Sequence, residues 1–298
     1  MIRLGLCCIF REEPIKFRTT TYAACAKLTR KEALAKIAGI CAFNAASLQQ
    51  AVDYCAANGI GAFRINSQIL PLKTHPAAGY RMQDLPDGKA IVQAFEKCGK
   101  SAQRQNLRLL FHPDQFILLS SADKKITDAS IAELDYQAEV AEWVGADVIN
   151  IHGGGAYGDK GSALQRVRNN IRRLPERVRR RLTLENDDRT YTPFDLLPLC
   201  RETGIPLIYD VHHHRCLPDD MSVEDATSAA LQTWQREPVF HISSPLEGWD
   251  GPKPQRHHDF INLRDFPNCW RQLDITVEVE AKAKEFAVKK LQQELIED

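Results

Sequence analysis

The sequence predicts a single-domain α/β protein folded as a (β/α)8 barrel. Short apolar runs recur along the 298 residues, and each is followed by a polar or amphipathic stretch. The runs are continuously apolar rather than alternating, which is typical of parallel strands buried on both faces. This strand–helix unit repeats eight times without a linker, so one TIM barrel over residues 1–298 accounts for the chain. A doubly wound open sheet is the alternative, but no glycine-rich phosphate-binding motif follows the first run.

The strands and helices follow from these patterns in chain order. The candidate strands lie at residues 2–9, 61–66, 107–112, 147–152, 182–186, 206–211, 238–243 and 274–281. Helical patterns lie at residues 47–59, 87–105, 127–145, 162–174, 192–204, 222–234 and 281–298. In the first helical pattern Leu48 and Cys55 share one apolar face, and Gly59 ends the helix. Thr127 or Asp128 is the expected N-cap of the third.

The composition favours an intracellular protein over a secreted or membrane protein. Basic and acidic residues number 39 each, so bulk charge neither requires nor excludes a nucleic-acid partner. The nine cysteines contain no CxxC pair, and we expect reduced thiols and no thiolate zinc site. No apolar run approaches the roughly 20 residues of a membrane span. We expect a cytoplasmic monomer, nucleoid-associated in a prokaryote or nuclear in a eukaryote, with no membrane partner and no organic cofactor.

Histidines and carboxylates stand at the ends of six consecutive candidate strands, where barrels build their active sites. They are His112, His152, Glu185, Asp210 with His213, His241 and Glu280, and the loop after the seventh strand adds His257 and His258. Burying so many such groups is costly unless they bind metal. Imidazole and carboxylate without thiolate suit Mn²⁺ or Zn²⁺ more than Mg²⁺ or Ca²⁺, and eight ligands imply two or three ions. His212 and His214 are expected to face solvent or to support the ligands from behind.

A cluster of ions indicates a class of reaction. Neighbouring ions bind phosphate oxygens, lower the pKa of a bound water and stabilise a leaving oxygen. Phosphodiester hydrolysis is therefore the favoured chemistry.

Motifs spread along nearly the whole chain resemble those of the UV damage endonuclease family. The segments are RLG (3–5), FRIN (63–66), FHPDQF (111–116), INIHGGGAYGDKGSAL (149–164), LTLENDD (182–188), YDVHHH (209–214), FHISS (240–244), HHDF (257–260) and VEAKAKE (279–285). The resemblance implies a TIM-like barrel related to endonuclease IV and the sugar isomerases. It also implies Mn²⁺-type metals and a single-strand nick immediately 5′ of a UV photoproduct in duplex DNA.

The resemblance also assigns roles to residues. The implied metal ligands are His112, His152, Glu185, Asp210, His213, His241, His257 and Glu280, with Glu185, Glu280 and His241 acting in catalysis through the metals. His257 is preferred to His258 because the family pattern of histidine, any residue and aspartate fits His257 and Asp259. Gln115 and Phe116 match the family's lesion probe, which enters the stack where damaged bases leave it.

Three positions depart from the family pattern. Val239 stands where many members have a lysine that can be carboxylated to contact metal, Leu6 replaces a tyrosine after RLG, and Phe116 lacks the hydroxyl of a frequent tyrosine. We expect the first to affect metal affinity and rate, and the last to affect lesion preference.

Loop residues suggest where DNA would be bound. The glycines of HGGGAYGDKG allow close approach of the backbone to a ligand, and Tyr157 and Lys160 are candidate DNA contacts. Arg64, Lys73 and Arg256 are expected to form a basic rim. The arginine-rich run 166–181 leads towards the far end of the barrel, and we expect a solvated charged surface there.

Other functions fit the same ligands. A sugar isomerase-like metalloenzyme of the same superfamily is one alternative, and a non-cleaving lesion-binding protein, motivated by Val239, is another. An abasic-site endonuclease is a close relative of the leading interpretation, and abasic or other helix-distorting lesions are further expected substrates. Zn²⁺, Mg²⁺ or Co²⁺ are alternatives to Mn²⁺.

Overall fold

A computed structural model describes residues 1–114 and 116–297 and confirms the (β/α)8 barrel. Eight parallel strands close into one barrel in chain order within these residues. The strands are β1 (Ile2–Cys7), β2 (Ala62–Ile65), β3 (Arg108–Phe111), β4 (Val148–His152), β5 (Leu182–Glu185), β6 (Leu207–Asp210), β7 (Val239–Ile242) and β8 (Ile275–Val279).

Helices surround the barrel and occupy each segment in which one was predicted. They are α1 (Tyr22–Cys25), α2 (Arg30–Ala57), α3 (Gly88–Arg104), α4 (Lys124–Val144), α5 (Lys160–Arg173), α6 (Glu176–Arg179), α7 (Pro193–Thr203), α8 (Val211–Cys216), α9 (Val223–Leu231) and α10 (Glu285–Glu297). Helix α2 begins far before the predicted residue 47, because Thr29 and Glu32 form a capping box at its start.

The predicted cap of α4 was wrong. The helix begins at Lys124, and Asp123 caps it by accepting a hydrogen bond from the Lys125 amide. Thr127 lies inside the first turn, where its hydroxyl donates to the carbonyls of Ser121 and Asp123. A threonine inside a helix often bonds to a preceding carbonyl in this way, so a candidate cap from sequence is ambiguous by one turn.

Two apolar clusters support the barrel. The larger one lies between the strands and the outer helices. The smaller one comprises Ala62, Leu110, Val148, Ile208, Trp234 and Val239. Successive strand residues point to opposite faces. Four strand members of the smaller cluster therefore share the inward face with a ligand candidate two or four residues further on, namely Leu110, Val148, Ile208 and Val239. This apolar plug leaves the polar inward positions at the carboxyl ends of the strands.

Two further features concern the cysteines and the polarity of the helices. The nine cysteines, all among the described residues, form no disulfide. Over residues 1–114 and 116–297, every helix is too short or too polar to cross a membrane.

Candidate metal centre

The carboxyl ends of β3 to β8 bring the predicted ligands to one place. Each ligand on a strand or directly after it has the inward orientation, and parallel strands deliver these side chains to the same mouth of the barrel. Glu185, Asp210 and His241 are completely buried. The other candidates are partly accessible from the mouth: His112, His152, His213, His257 and Glu280.

Glu185 is the centre of the arrangement. Its Oε2 lies 2.9 Å from His112 Nε2. Its Oε1 lies 3.0 Å from His241 Nδ1 and 3.4 Å from His213 Nδ1. Glu185 also accepts a hydrogen bond from the side-chain amide of Asn150. One carboxylate therefore touches imidazoles from three other strands or strand ends.

Three overlapping groups of ligand atoms have the compactness that a metal ion requires. Within each group, one ligand atom per residue lies within 4.8 Å of the others. The groups are His112 with His152 and Glu185, His112 with His241 and Glu280, and Glu185 with Asp210 and His213. Together they contain seven of the eight predicted ligands. The first group shares His112 with the second and Glu185 with the third, so the three form one cluster.

His257 is the eighth predicted ligand and lies at the edge of the cluster. Its Nδ1 is 3.9 Å from Glu280 Oε2, and its ring centroid is 6.5 Å from that of His213. His258 uses its Nδ1 locally, because that atom accepts a hydrogen bond from the Phe260 amide at 3.0 Å. The geometry therefore favours His257 over His258, and its ligand role stays a prediction.

Two orphaned atoms test whether the residues fit metal ions. Asp210 Oδ2 and His152 Nδ1 are buried and lack a hydrogen-bond partner among the described residues. Buried polar atoms are normally satisfied. Other described residues, such as His212, also have unpartnered atoms, but these two atoms belong to predicted ligands. Oxygen and imidazole nitrogen are the donors of Mn²⁺ and Zn²⁺ sites, so the donor set fits such ions.

The charges of the cluster compensate one another. Burial raises the pKa of Glu185, but nearby His241 and His152 and a hydrogen bond from His112 hold this pKa well below its ordinary value. Burial lowers the pKa of His213, but Asp210 and Glu185 outweigh it and hold this pKa well above its ordinary value. Without metal, the surrounding imidazoles therefore favour the charged form of Glu185, and the neighbouring acids favour the charged form of His213.

His212 and His214 do not face solvent. His214 is buried and bridges the Tyr209 hydroxyl, at 2.7 Å from Nδ1, and Asp219 Oδ1, at 2.9 Å from Nε2. His212 is also buried, and its ring packs against those of Trp249 and His257. The short helix α8 that follows β6 turns both imidazoles inward. His214 bonds no proposed ligand, and His212 touches one only through its ring contacts with His257 and His213, so the supporting role stays a prediction.

The sequence suggested that Arg64 belongs to a basic rim, and this prediction was wrong. It is buried on β2, and its Nη2 lies 2.7 Å from Glu280 Oε1 and 2.8 Å from Glu278 Oε2. Position 64 has the inward orientation on β2, which explains why the side chain enters the barrel. Glu278 was not recognised from sequence, although its place two residues before Glu280 predicts the same inward face.

Of the remaining rim residues, Lys73 differs from expectation, whereas Arg256 stays a candidate. Lys73 is largely buried and pairs with Glu139 at 3.1 Å. Arg256 is exposed and lies 3.3 Å from Glu247. Seven of the eight arginines of the run 166–181 form ion pairs on the outer helices, such as Arg168 with Glu202 at 2.7 Å. The run is therefore largely the charged surface that we expected, although Arg181 is buried.

The candidate DNA contacts are exposed where the structure describes them. Phe116 exposes 72% of its surface and Tyr157 54%. Lys160, the first residue of α5, pairs with Asp195 at 2.8 Å. Gln115, the other half of the predicted probe, lies outside the described residues. Phe116 also borders a groove of about 420 Å³ with Ile117 and Ile126 on its walls.

Gly153 is the first of the glycines after β4, whose expected role in the close approach of a ligand stays a prediction. A Cβ on Gly153 would lie 2.7 Å from Cδ2 of Tyr191, so this glycine allows close packing within the chain.

Two of the three positions that depart from the family pattern lie in the apolar interior. Val239 and Leu6 are completely buried among apolar residues. Val239 therefore offers no ligand atom.

Comparisons with known proteins agree with the fold and with the motifs. The family model of UV-endonuclease UvdE matches residues 2–298. The UV DNA damage endonuclease of Bacillus velezensis is 34% identical, covering 97% of this chain and 91% of that protein. The crystal structure of SacUVDE superposes with a TM-score of 0.88 at 27% identity, covering 100% of this chain and 99% of the other.

A more distant structure shares the fold. Endonuclease IV from Thermus thermophilus superposes with a TM-score of 0.64 at 16% identity, covering 99% of both chains. The full-length match to the family model, together with the curated relative, carries the assignment. The chain belongs to the UV-endonuclease UvdE family.

Proposed function

We propose that the chain is a metal-dependent DNA repair endonuclease that cuts the phosphodiester bond immediately 5′ of UV photoproducts in duplex DNA. Membership of an endonuclease family supports a DNA-cleaving enzyme. The observation that carries the metal dependence is the convergence of three compact ligand groups on Glu185 and His112. Abasic and other helix-distorting lesions are further proposed substrates.

The proposed cofactor is Mn²⁺, with two or three ions held by His112, His152, Glu185, Asp210, His213, His241, His257 and Glu280. When bound, such ions supply Lewis acidity towards a phosphate oxygen and lower the pKa of a coordinated water. Zn²⁺, Mg²⁺ and Co²⁺ are the alternatives that a metal screen has to compare.

The chain itself would hold these ligands in place. Asn150 donates to Glu185, and the Asn186 side chain donates to the Asp210 carbonyl at 2.8 Å. His213 Nδ1 lies 3.0 Å from the Asn186 carbonyl oxygen. Glu185, Glu280 and His241 would act in catalysis through the metals by fixing their positions. No protein nucleophile is required for hydrolysis of this type.

The mouth of the barrel supports a role in binding duplex DNA. Phe116 is exposed in the loop after β3, four residues beyond the proposed ligand His112. An aromatic side chain at this position would act as a wedge that fills the space left by extruded bases. Gln115 would bond the unpaired bases opposite, while Tyr157 and Lys160 would contact the sugar–phosphate backbone. A neutral protein needs such local contacts, because its bulk charge attracts no polyanion.

A nicking assay on supercoiled plasmid tests the proposal. Irradiated plasmid should be converted to the open circular form in Mn²⁺, while unirradiated plasmid and chelator-treated protein should show no conversion. End-labelled oligonucleotides with one photoproduct or one abasic site then locate the cut. Binding without nicking in every metal would favour the lesion-binding alternative, and turnover of an aldose would favour the isomerase-like alternative.

A further inference from the structure

Glu278 is a buried carboxylate that the proposed ligand set does not use. It lies on β8, directly opposite His241 in the register of β7 and β8. Both side chains are buried, with 2% and 0% exposure respectively. A buried charge is costly unless it is paired, so its partners show what the arrangement achieves.

The two ring nitrogens of His241 face different surroundings. Nδ1 faces the metal cluster, at 3.0 Å from Glu185 Oε1 and 3.5 Å from Glu280 Oε1. Nε2 faces away from the cluster, at 2.9 Å from Glu278 Oε2. The ring can therefore donate one N–H to Glu278 while it directs the other nitrogen at the cluster.

Arg64 holds Glu278 in this position. Its Nε donates to Glu278 Oε1 at 3.0 Å and its Nη2 to Oε2 at 2.8 Å, which is the bidentate geometry of strong pairs. The same Nη2 is 2.7 Å from Glu280 Oε1, so the guanidinium also joins Glu278 to a proposed ligand. The 3.2 Å approach of Nη2 to His241 Nε2 follows from their shared acceptor, Glu278 Oε2.

We propose that Glu278, clamped by Arg64, is the positioning residue that accepts the Nε2–H of His241 and thereby directs Nδ1 to a metal ion. Metal-bound histidines commonly donate their second N–H to a carboxylate, which fixes the tautomer and the ring orientation. This inference rests on the proposed metal dependence. It assigns a role to two buried charged residues that are absent from the proposed ligand set.

The direct test is made on the native protein. Zinc is the diamagnetic probe, and two-bond ¹H–¹⁵N correlation spectra of ¹⁵N-histidine-labelled, zinc-loaded protein show which nitrogen of His241 carries the proton. The His241→Gln variant identifies the signal. We expect a protonated Nε2 and a zinc-bound Nδ1. A zinc-bound Nε2 overturns the inference without affecting the proposed function, whereas a native protein that binds neither zinc nor manganese contradicts the proposed function itself.

Two variants add an affinity measurement. Glu278→Leu removes the acceptor and should weaken zinc binding by about 10- to 100-fold, the usual effect of losing such a partner. Glu278→Gln keeps an acceptor oxygen and should restore the native tautomer and most of the affinity. Unchanged zinc affinity in a folded Glu278→Leu protein would refute the positioning role, and if that variant does not fold, the native spectrum still decides.

A matched control separates positioning from general stability. Glu237 also pairs with arginines, since it lies 2.9 Å from Arg3 and 3.8 Å from Arg108, but these partners belong to the opposite end of the barrel. Glu237→Gln should lower the melting temperature without changing zinc affinity or the His241 spectrum. An equal loss of zinc affinity in Glu237→Gln and Glu278→Leu would show that Glu278 acts only through the stability of the fold, and would refute the positioning role.

Discussion

Glu185 Oε2 lies 2.9 Å from His112 Nε2, although the two residues are 73 positions apart in the chain. They belong to β5 and to the end of β3, which are separated in the barrel by β4. The contact therefore crosses the interior of the mouth and does not follow from strand pairing. It makes Glu185 the group on which most of the proposed ligands depend.

Glu185→Gln should abolish nicking with little change in shape. The amide cannot supply the charge that the imidazoles of the cluster pair with, and it coordinates metal poorly. We expect metal affinity to fall by more than about 100-fold, beyond the usual loss caused by an outer partner. Elemental analysis and the plasmid assay measure both effects. Glu202→Gln, on the outer surface beside Arg168, is the control that should behave as native.

His213→Ala should also abolish cleavage while the fold persists. His213 lies at the mouth on the short helix α8 and is not part of the apolar core. Circular dichroism should therefore remain native-like, and nicking should be lost even at high metal concentration. Cleavage that recovers fully at saturating Mn²⁺ would argue against His213 as a ligand.

Metal binding should release protons near neutral pH. Burial lowers the pKa of His241, but Glu185 and Glu278 outweigh it and raise the pKa to about 10. The pKa of His213 is also raised, so both imidazoles are protonated in the metal-free protein. Ligation needs a neutral imidazole, and metal affinity should consequently increase with pH. Calorimetry in buffers of different ionisation enthalpy measures the released protons, and zero release would contradict the expectation.

The sequence predicted the barrel and the convergence of its histidines and carboxylates at one mouth because both depend on local order. Parallel strands with inward alternation bring residues at their carboxyl ends together, whatever the details of packing. Arg64 and Lys73 were misplaced because their partners, Glu278 and Glu139, are distant in the chain, and residue spacing does not reveal such pairs. His214 was misjudged because helix α8 begins immediately after β6 and turns it towards Tyr209.

Loss of the lesion probe should affect selectivity and leave the metal centre intact. The variant that tests this combines Phe116→Ala with Gln115→Ala. Phe116 is 72% exposed, so Phe116→Ala by itself should change the free energy of unfolding by no more than about 0.5 kcal/mol. We expect native metal content and native affinity for undamaged duplex, but weaker preference for irradiated duplex. Competition binding with both duplexes measures the preference. An unchanged ratio of the two affinities would remove the probe role.

The salt dependence of DNA affinity should distinguish cations that contact phosphate from cations that only form ion pairs within the protein. Each phosphate neutralised by a cation contributes about 0.9 to the slope of log affinity against log salt concentration. Lys160, at the start of α5 on the mouth side, should be such a contact once DNA competes with Asp195 for it. Lys160→Ala should therefore reduce the slope by about 1.

The control is Arg172→Ala, at the other end of α5 and paired with Glu202, which should leave the slope unchanged. Binding of a damaged duplex between roughly 50 and 200 mM salt, the range in which such contacts are strongly weakened, measures both slopes. Equal slopes for Lys160→Ala and native protein would place the DNA away from the loop that follows β4.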